Sequence, residues 1–506
     1  MSLLKSTSET SILESYLQDE SRKTGTTTRI FFPENESDVC AVFRKNPHTP
    51  VTLQGARTGL TAGCVPEGGL TVNLERMNQI LDFQPSENGG SITVQPGILL
   101  QTLRQYLQRH PHPRPLFFPP DPTESTASLG GMISCNSSGA RSFRYGAVRD
   151  YVLALDLILP DGDKLHLERG KNHASGLRFQ LETCGGRLIS GALPALPMPK
   201  VKKHTAGYFI KPNMDLIDLF IGAEGTLGVI TSARLRLLPR KKLRWGAVLF
   251  LPKEDCALSL VKTLRNKTDD SAFPLEALEF FGSDTLNLLR HDQRRGLVLR
   301  ESELIREDAD CAVYVEFTAD DRALLMDAFS TVCRELSAAG GDPARAWAAI
   351  NASHIEKLRE FRHAAPECVN RKIREIKKSV PQITKLGTDM SVPDSRLEDV
   401  FSLYREGIQV GGFESAVFGH IGNNHVHVNL IPHDMAQYSR GKTLFETWAK
   451  AIVQMGGTVS AEHGVGKLKA GLLKTLYSEE QLRAMKQVKQ CLDPETLLNQ
   501  GNIFGK

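Results

Sequence analysis

The sequence of 506 residues lacks any run approaching the roughly 18 consecutive apolar residues that a membrane-spanning helix needs. Its first residues, Met1 to Lys23, mix Ser, Thr, Glu and Lys without the apolar core of a signal peptide. The nine cysteines form no Cys-x-x-Cys pair, and such an odd, scattered set is typical of reduced thiols in the cytosol. These absences predict a soluble cytoplasmic protein and leave a peripheral attachment to a membrane open.

An excess of charge of one sign is also missing. The net charge of +4 is small for this length and predicts no affinity for nucleic acid or for an anionic membrane. Basic pairs such as Lys202-Lys203 are therefore expected in solvated loops. With 41% hydrophobic and 24% charged residues, the composition is that of an ordinary globular protein, and the length predicts two or three domains.

The two commonest nucleotide-binding signatures, G-x-G-x-x-G and G-x-x-x-x-G-K, are absent, but three other glycine-rich loops are present. A predicted strand at Pro50 to Gln54 runs into Gly55 to Gly63, whose backbone N–H groups can bind phosphate oxygens. A proline-rich approach at Phe117 to Thr123 precedes the second loop, Ser128 to Ala140, and the third loop is Ile221 to Thr231. A simple glycine-rich hairpin remains the alternative for the first loop alone.

Histidines are concentrated in two short segments near the carboxyl end. One contains His420, His425 and His427, and the other contains Glu462 and His463. His425 and His427 are expected to share one face of a strand, because the side-chain period of a strand is two. Neutral imidazoles with a carboxylate suit Zn²⁺ and similar ions, and a further His is the usual group for moving a proton near neutral pH. A core or turn role remains the alternative for each His taken singly.

Six motifs that occur in order identify a family resemblance. They are Gln54-Gly-Ala-Arg-Thr-Gly-Leu, Pro119-Pro-Asp-Pro-Thr, Leu129-Gly-Gly-Met, Gly222-Ala-Glu-Gly-Thr-Leu-Gly-Val-Ile-Thr, Phe418-Gly-His-Ile-Gly and Ser460-Ala-Glu-His-Gly-Val-Gly. Together they resemble the vanillyl-alcohol-oxidase, or PCMH, type of FAD-linked oxidoreductase, in particular its D-lactate, glycolate and D-2-hydroxyglutarate dehydrogenases. The resemblance extends from about residue 27 to the carboxyl end.

The resemblance implies an α+β fold with two main domains. A two-part PCMH-type FAD-binding domain at residues 27–240 follows an N-terminal extension at residues 1–26. A cap domain at residues 241–490 has a ferredoxin-like sheet with helices on one face, and residues 491–506 return to the FAD domain. The segment Gly170 to His204 is longer than the family core and is expected to form a lid or a partner surface.

The resemblance also implies which residues bind FAD. They are Gly55, Ala56, Arg57, Thr58, Gly59, Leu60, Thr61, Pro119, Pro120, Asp121, Thr123, Ser128, Gly130, Gly131, Asn136, Gly139, Ala140, Tyr145, Gly146, Glu224, Gly225, Gly228, Val229, Ile230 and Asn499. Glu224 is in addition a candidate hydroxyl acceptor. Some members tether FAD through a His in the first loop, where this chain has Arg57-Thr58, so the FAD is predicted to be non-covalent.

For the reaction, the resemblance implies that His420, His427 and Glu462 hold a divalent metal, with Zn²⁺ as the expected ion, and that His463 is the base. The metal lowers the pKa of an α-hydroxyl, His463 takes the proton, and hydride passes to the flavin. Arg362 and Lys385 are the candidates for binding the substrate carboxylate. The family usually has Gly-Asp-Gly-Asn at residues 422–425, where this chain has Gly-Asn-Asn-His, so the metal site is expected to gain a ligand or to bind a different ion.

These features predict an FAD-dependent dehydrogenase that oxidises a D-2-hydroxy acid to the 2-oxo acid. Its electrons are expected to pass to a quinone, a flavoprotein or a cytochrome, and a homodimer is left open. Two alternatives remain. One is a non-redox flavoenzyme of the same fold, similar to alkyl-glycerone-phosphate synthase. The other is a non-catalytic flavin or electron-transfer subunit of a larger complex.

Overall fold

The computed structural model describes residues 4–110, 112–268, 270, 272–300 and 304–505. Within these residues the chain forms four β-sheets and a set of helices, and the predicted α+β class is confirmed. Three of the sheets lie in the first half of the chain and one lies in the second half.

A small sheet opens the fold, with strand order β1-β2-β4-β3. Its strands are β1 Lys5–Thr7, β2 Arg29–Phe32, β3 Val51–Gln54 and β4 Leu70–Asn73, and helix α1, Thr10–Glu14, follows β1. β4 pairs in parallel with both β2 and β3. Helix α2, Glu36–Lys45, begins after Asn35, whose side chain accepts a hydrogen bond from the backbone N–H of Asp38. This cap and the buried Val39, Val42 and Phe43 fix α2 between β2 and β3.

A larger antiparallel sheet completes the first half. Its strands are β5 Ile80–Ser86, β6 Gly89–Val94, β7 Leu116–Phe117, β8 Val152–Ile158, β9 Lys164–Glu168 and β12 Val229–Pro239, and β10 Arg178–Glu182 pairs with β11 Leu188–Ala192 as a separate hairpin. The helices of this region are α3 Leu100–Arg109, α4 Leu129–Ser134, α5 Ser142–Tyr145 and α6 Ile217–Phe220. The β10–β11 hairpin occupies the middle of the long segment 170–204.

The second half is built on one antiparallel sheet with strand order β16-β13-β15-β14-β18-β19-β17. The strands are β13 Leu243–Leu251, β14 Leu275–Phe281, β15 Cys311–Ala319, β16 Trp347–Ala349, β17 Leu386–Gly387, β18 Glu414–His420 and β19 His425–Ile431. The helices are α7 Glu254–Lys267, α8 Ser283–Arg294, α9 Arg322–Ala338, α10 Ala352–Lys377, α11 Leu397–Gly411, α12 Met435–Gln454, α13 Leu473–Leu476 and α14 Glu479–Leu492.

Helices cover both faces of this sheet, so the expectation of helices on one face is wrong. Leu249 of β13 and Val313 of β15 pack with α7 and α9, whereas their neighbours Val248 and Ala312 pack with α8 and α10. β13 and β15 are buried along nearly their whole length, because alternate side chains point into two separate cores.

The carboxyl-terminal residues return to the first half of the chain. Leu498 forms a bridge with Val51 of β3, and the side chain of Asn499 accepts a hydrogen bond from the backbone N–H of Leu53 at 2.7 Å. The Asn499 amide also donates to the carbonyl of Glu224 at 2.6 Å. This segment therefore ties β3 to the third glycine loop.

Candidate active site

A cavity of about 300 Å³ lies between the glycine loops of the first half and the histidines of the second half. The predicted FAD residues that line it are Gly55, Ala56, Arg57, Thr58, Gly59, Leu60, Thr61, Thr123, Ser128, Gly130, Gly131, Glu224, Gly225, Gly228, Ile230 and Asn499. His420, His427, Glu462 and His463 line the same cavity. The structure therefore brings the two sets of predicted residues to one place.

The other predicted FAD residues do not line this cavity, and their role in binding stays a prediction. They are Pro119, Pro120, Asp121, Asn136, Gly139, Ala140, Tyr145, Gly146 and Val229. Three of these have polar side chains that are bound to protein groups. Asp121 pairs with Arg104 and Arg141, Asn136 accepts from the N–H of Arg149, and the hydroxyl of Tyr145 donates to Glu276.

The first two glycine loops are held together by Ser128. Its hydroxyl accepts from the N–H of Ala56 at 3.3 Å and from the N–H of Gly131 at 3.4 Å, where it caps α4. Gly55 has no room for a larger side chain, because a Cβ there would lie 2.2 Å from the Ser128 hydroxyl oxygen. The close packing leaves backbone of both loops facing the cavity.

One polar group in the wall of the cavity supports the binding of a flavin nucleotide. The hydroxyl of Ser138 is buried, lines the cavity and has no hydrogen-bond partner within the described part of the chain. A buried hydroxyl without a partner carries an energetic cost, which a polar ligand at this position relieves. FAD carries many oxygen and nitrogen atoms that can accept a hydrogen bond from this hydroxyl. Ser138 also lies in the second glycine-rich loop, which the sequence predicts to bind FAD.

The histidine cluster is built by the hairpin of β18 and β19. His420 is the register partner of His425, and Phe418 is that of His427, across a turn in which Asn424 adopts a left-handed conformation with φ 50°. The ring centroids of His425 and His427 are 4.5 Å apart, which confirms that they share one face of the strand. His420 lies 5.5 Å and 5.7 Å from these two rings.

Four side chains can hold one metal ion: the ligand atoms of His420, His425, His427 and Glu462 all lie within 4.8 Å of one another. Nδ1 of His420 lies 2.7 Å from Glu279, and Nδ1 of His427 lies 2.9 Å from the carbonyl of Thr388. A proton on each Nδ1 leaves Nε2 free to bind a cation, so the donor set fits a divalent ion. His425 was not among the ligands that the family resemblance implied, although its spacing of two from His427 placed it on the same face of the strand.

A buried lysine also faces this cluster, so the expectation that Lys203 lies in a solvated loop is wrong. Its side chain is only 2% exposed, its ammonium group donates to the carbonyl of Gly139 at 3.1 Å, and it lies 3.4 Å from Glu462. Sequence could not reveal this, because 259 residues separate the two charges. Its neighbour Lys202 is half-exposed and reaches Asp394, as expected for a solvated loop.

The base candidate His463 lies in a turn that one buried carboxylate organises. Asp389 accepts hydrogen bonds from the backbone N–H groups of Glu462 and His463, each at 3.0 Å, and from the ammonium group of Lys469. Its Oδ2 lies 3.7 Å from Nδ1 of His463. Because this segment is a turn and not a strand, the adjacent side chains of Glu462 and His463 can both face the cavity.

Glu224 holds the same turn from the other side. Its two carboxylate oxygens accept from the N–H groups of Val465 and Gly466, at 2.6 Å and 2.8 Å. The carboxylate is thus engaged by protein, which is a different role from the expected hydroxyl acceptor. Gly466 has φ +52°, and a Cβ there would lie 2.0 Å from the carbonyl oxygen of Thr61, so this turn packs directly on the first glycine loop.

The electrostatic environment sets distinct protonation states. Burial, opposed by Asp389, lowers the pKa of His463, and burial lowers the pKa of His425 to about 4. Burial alone would lower the pKa of His420, but Glu279 and Glu462 raise it. Burial would raise the pKa of Glu462, yet Lys203 and His420 hold it well below its usual range. His463 is therefore neutral and Glu462 ionised near neutral pH.

The two candidate carboxylate-binding residues lie apart from the lining of the main cavity. Arg362 lines a second, polar cavity of about 380 Å³, which shares Pro122 and Thr123 with the first. Glu279 and Asp121 help to raise its pKa against the effect of burial. Burial lowers the pKa of Lys385, and its charge contributes to the lowered pKa of His463, so Lys385 lies within electrostatic range of the base.

Comparison with known families gives two matches that together span most of the chain. The family described as FAD linked oxidases, C-terminal domain, matches residues 246–503. The family described as FAD binding domain matches residues 27–168. The first match covers the histidine cluster and the turn with His463, and the second covers the first two glycine loops.

Curated relatives resemble the chain over nearly its whole length. Glycolate oxidase subunit GlcD of Bacillus subtilis is 26% identical over 94% of this chain and 89% of its own length. D-lactate dehydrogenase of Archaeoglobus fulgidus is 27% identical, and D-2-hydroxyglutarate dehydrogenase of Stutzerimonas stutzeri is 28% identical. Each of these two alignments covers 94% of this chain and 90% of the relative.

A solved structure of an alkyldihydroxyacetonephosphate synthase superimposes with a TM-score of 0.63, over 98% of this chain and 81% of that one. Its sequence identity of 14% limits the likeness to the fold. Among the helices of the described residues, none combines the length and the apolar composition that crossing a bilayer requires. All nine cysteines are free thiols.

Proposed function

Because the chain belongs to the FAD-linked oxidase family, we propose that it oxidises a D-2-hydroxy acid to the 2-oxo acid. It is an FAD-dependent oxidoreductase of the D-lactate, glycolate and D-2-hydroxyglutarate dehydrogenase type. One observation carries the proposal. His463, a neutral imidazole, lines the same cavity as the glycine loops and stands beside a cluster of three histidines and Glu462.

FAD supplies a hydride acceptor when it is bound, and a divalent ion supplies a positive charge that favours loss of a proton from a hydroxyl group. Gly55 to Thr61, Ser128 and Gly130-Gly131 would hold the FAD, without a covalent bond. His420, His427 and Glu462 would hold the ion, and their imidazole and carboxylate donors make Zn²⁺ the first candidate.

The proton of the hydroxyl group goes to His463. A base must be unprotonated before it acts, and the lowered pKa of His463 meets this condition at neutral pH. Asp389, 3.7 Å from Nδ1, stabilises the imidazolium that forms, and the stacking of His463 on His427 fixes the plane of the ring. The two ring planes are 6° apart, with centroids 5.3 Å apart.

The substrate carboxylate needs a cation, and Lys385 and Arg362 are the proposed groups. Lys385 acts on the base electrostatically, which supports a position near the reacting carbon. Nε of Arg362 is buried and has no hydrogen-bond partner in the described structure, so its guanidinium has free binding capacity. A guanidinium is suited to a carboxylate because two parallel hydrogen bonds can form.

The test is anaerobic mixing of the FAD-loaded protein with a panel of D- and L-2-hydroxy acids, followed by absorbance of the flavin. Bleaching with D-lactate, glycolate or D-2-hydroxyglutarate and not with the L-isomers of the chiral acids is the expected result. A flavin that stays oxidised with every acid would overturn the proposal and favour the transferase alternative. Turnover with an artificial dye by the isolated chain excludes a role limited to electron transfer. The proposed physiological acceptor is a quinone, flavoprotein or cytochrome.

A further inference from the structure

His425 is a completely buried histidine whose ring nitrogens face two carboxylates. It is 0% exposed, Oδ1 of Asp389 lies 3.0 Å from Nε2, and Nδ1 has no hydrogen-bond partner in the described part of the molecule. Histidines buried for structural reasons normally donate and accept at least one hydrogen bond, because a buried polar atom without a partner is costly. Nδ1 of His425 therefore points to an interaction that the protein atoms do not provide.

The position of the ring identifies the missing partner. Nδ1 of His425 lies 3.5 Å from Oε2 of Glu462, and Nε2 of His420 lies 3.2 Å from the same oxygen. Two ligands that each sit about 2.1 Å from one ion in a tetrahedron are roughly 3.4 Å apart. These two spacings are thus those of neighbouring ligands on a single ion.

The second ring nitrogen of His425, Nε2, is placed as in a histidine that binds a metal through its other nitrogen. Oδ1 of Asp389 lies 3.0 Å from Nε2, so a proton on Nε2 faces a carboxylate while Nδ1 faces the cluster. This arrangement of carboxylate, imidazole and ion is the usual way in which proteins orient a metal-binding histidine. Glu279 does the same for His420.

We propose that His425 is a fourth protein ligand, so that the ion has three imidazoles and one carboxylate and must hold at least five ligands when a substrate hydroxyl binds. The inference rests on the proposed function only for the role of the hydroxyl. Catalytic zinc sites ordinarily use three protein ligands and keep the fourth position open. A set of four protein ligands instead favours Mn²⁺, Fe²⁺ or Co²⁺, which accept five or six ligands, over the Zn²⁺ that the three ligands His420, His427 and Glu462 would favour on their own.

The test counts ligands directly, on FAD-loaded protein that is stripped of metal with a chelator and reloaded with Co²⁺. X-ray absorption fine structure at the cobalt edge is expected to show three imidazoles and a total of five or six ligands. His425→Asn is expected to show two imidazoles and to bind Co²⁺ more than about 100-fold more weakly, beyond the roughly 10–100-fold that loss of an orienting group causes. His433→Asn, outside the cluster, is the control and should match the parent protein.

Two imidazoles or four total ligands in the parent protein would overturn the proposal, and this result does not depend on how His425→Asn folds. An unchanged imidazole count in His425→Asn would overturn it as well. Absence of Co²⁺ binding would also exclude it, whereas bleaching of the flavin by a hydroxy acid in the same preparation would leave the proposed function intact. The ligand count therefore tests the role of His425, and the flavin assay tests the proposed function, so either can be overturned without the other.

Discussion

The ring of His463 is exposed for 28% of its surface and borders the main cavity, while its backbone is fixed on both sides of the side chain. The N–H of His463 donates to Asp389, and its carbonyl accepts from the hydroxyl of Thr61 at 3.3 Å. Neither bond involves the imidazole. Replacement of the ring therefore removes the base without removing the turn.

His463→Ala is expected to slow flavin reduction by about 10²–10⁴-fold, the usual contribution of a positioned base, while FAD stays bound. The rate is measured by anaerobic stopped-flow absorbance with the best acid from the panel. His433→Ala is the matched control, because His433 is half-exposed and pairs with Glu414. A variant that reduces its flavin at the parental rate would rule out His463 as the base.

Lys203 and Glu462 form a buried ion pair, and loss of Lys203 leaves the buried charge of Glu462 with only His420 to offset it. Lys203→Met is expected to lower the free energy of unfolding of the metal-stripped protein by about 3–5 kcal/mol. Added Zn²⁺ should restore part of the loss, because a cation replaces the ammonium group beside Glu462. Urea unfolding with and without Zn²⁺ measures both effects. Lys202→Met is the control, and equal stability of the two variants would contradict the prediction.

At the scale of elements, the turn with His463 depends on Glu224, which lies in another loop. Glu224→Gln puts an amide group where two N–H donors now meet a carboxylate, so at least one of the bonds to Val465 and Gly466 is lost. The free energy of unfolding is expected to fall by about 1–3 kcal/mol. FAD binding is expected to weaken and flavin reduction to slow. Titration of apoprotein with FAD measures the affinity. Glu495→Gln, at an exposed pair with His48, is the control, and identical affinities would refute the role of Glu224.

Local sequence patterns predicted some of the structure, whereas contacts between residues far apart in the sequence were not predictable. The run from Pro50 to Gln54 predicted β3, because a buried strand leaves a local apolar pattern. The side-chain period of a strand also placed His425 beside His427. By contrast, Lys203, Asp389 and Glu279 reach the cluster from distant parts of the chain, and no local pattern marks such contacts. Helices on both faces of the second sheet were missed for the same reason.

At the scale of the whole molecule, Arg141 joins the two halves of the chain. Its guanidinium lies 3.4 Å from Asp121 in the first half, and 3.4 Å and 3.8 Å from Glu316 and Glu276 in the sheet of the second half. Burial would raise the pKa of Glu316, but Arg141 and Arg244 lower it to about 2 from an ordinary value of 4.5. The ionised network therefore stabilises the folded protein at neutral pH.

The sign of the pH dependence follows from the lowered pKa of Glu316. Stability from this group is complete above about pH 4.5 and is lost as the pH falls toward 2. Arg141→Met should lower the free energy of unfolding by at least ~3 kcal/mol at neutral pH. It should also shift the acid loss to higher pH, because burial then acts on Glu316 with less opposition. Urea unfolding between pH 3 and 7 tests both. Arg144→Met, near the surface of α5, is the control, and superimposable curves for the two variants would disprove the network's role.

The flavin is expected to be held without a covalent bond to the protein. A covalent tether needs a nucleophile at the cavity wall, and the first loop offers Arg57-Thr58 and no His. Cys64 and Cys135 do line the cavity, but burial raises the pKa of both thiols, to about 12 for Cys135, so they stay protonated and unreactive. Acid precipitation should therefore leave the yellow colour in the supernatant. Colour that stays in the pellet would contradict a dissociable flavin, and its loss in Cys135→Ser would then identify the tether.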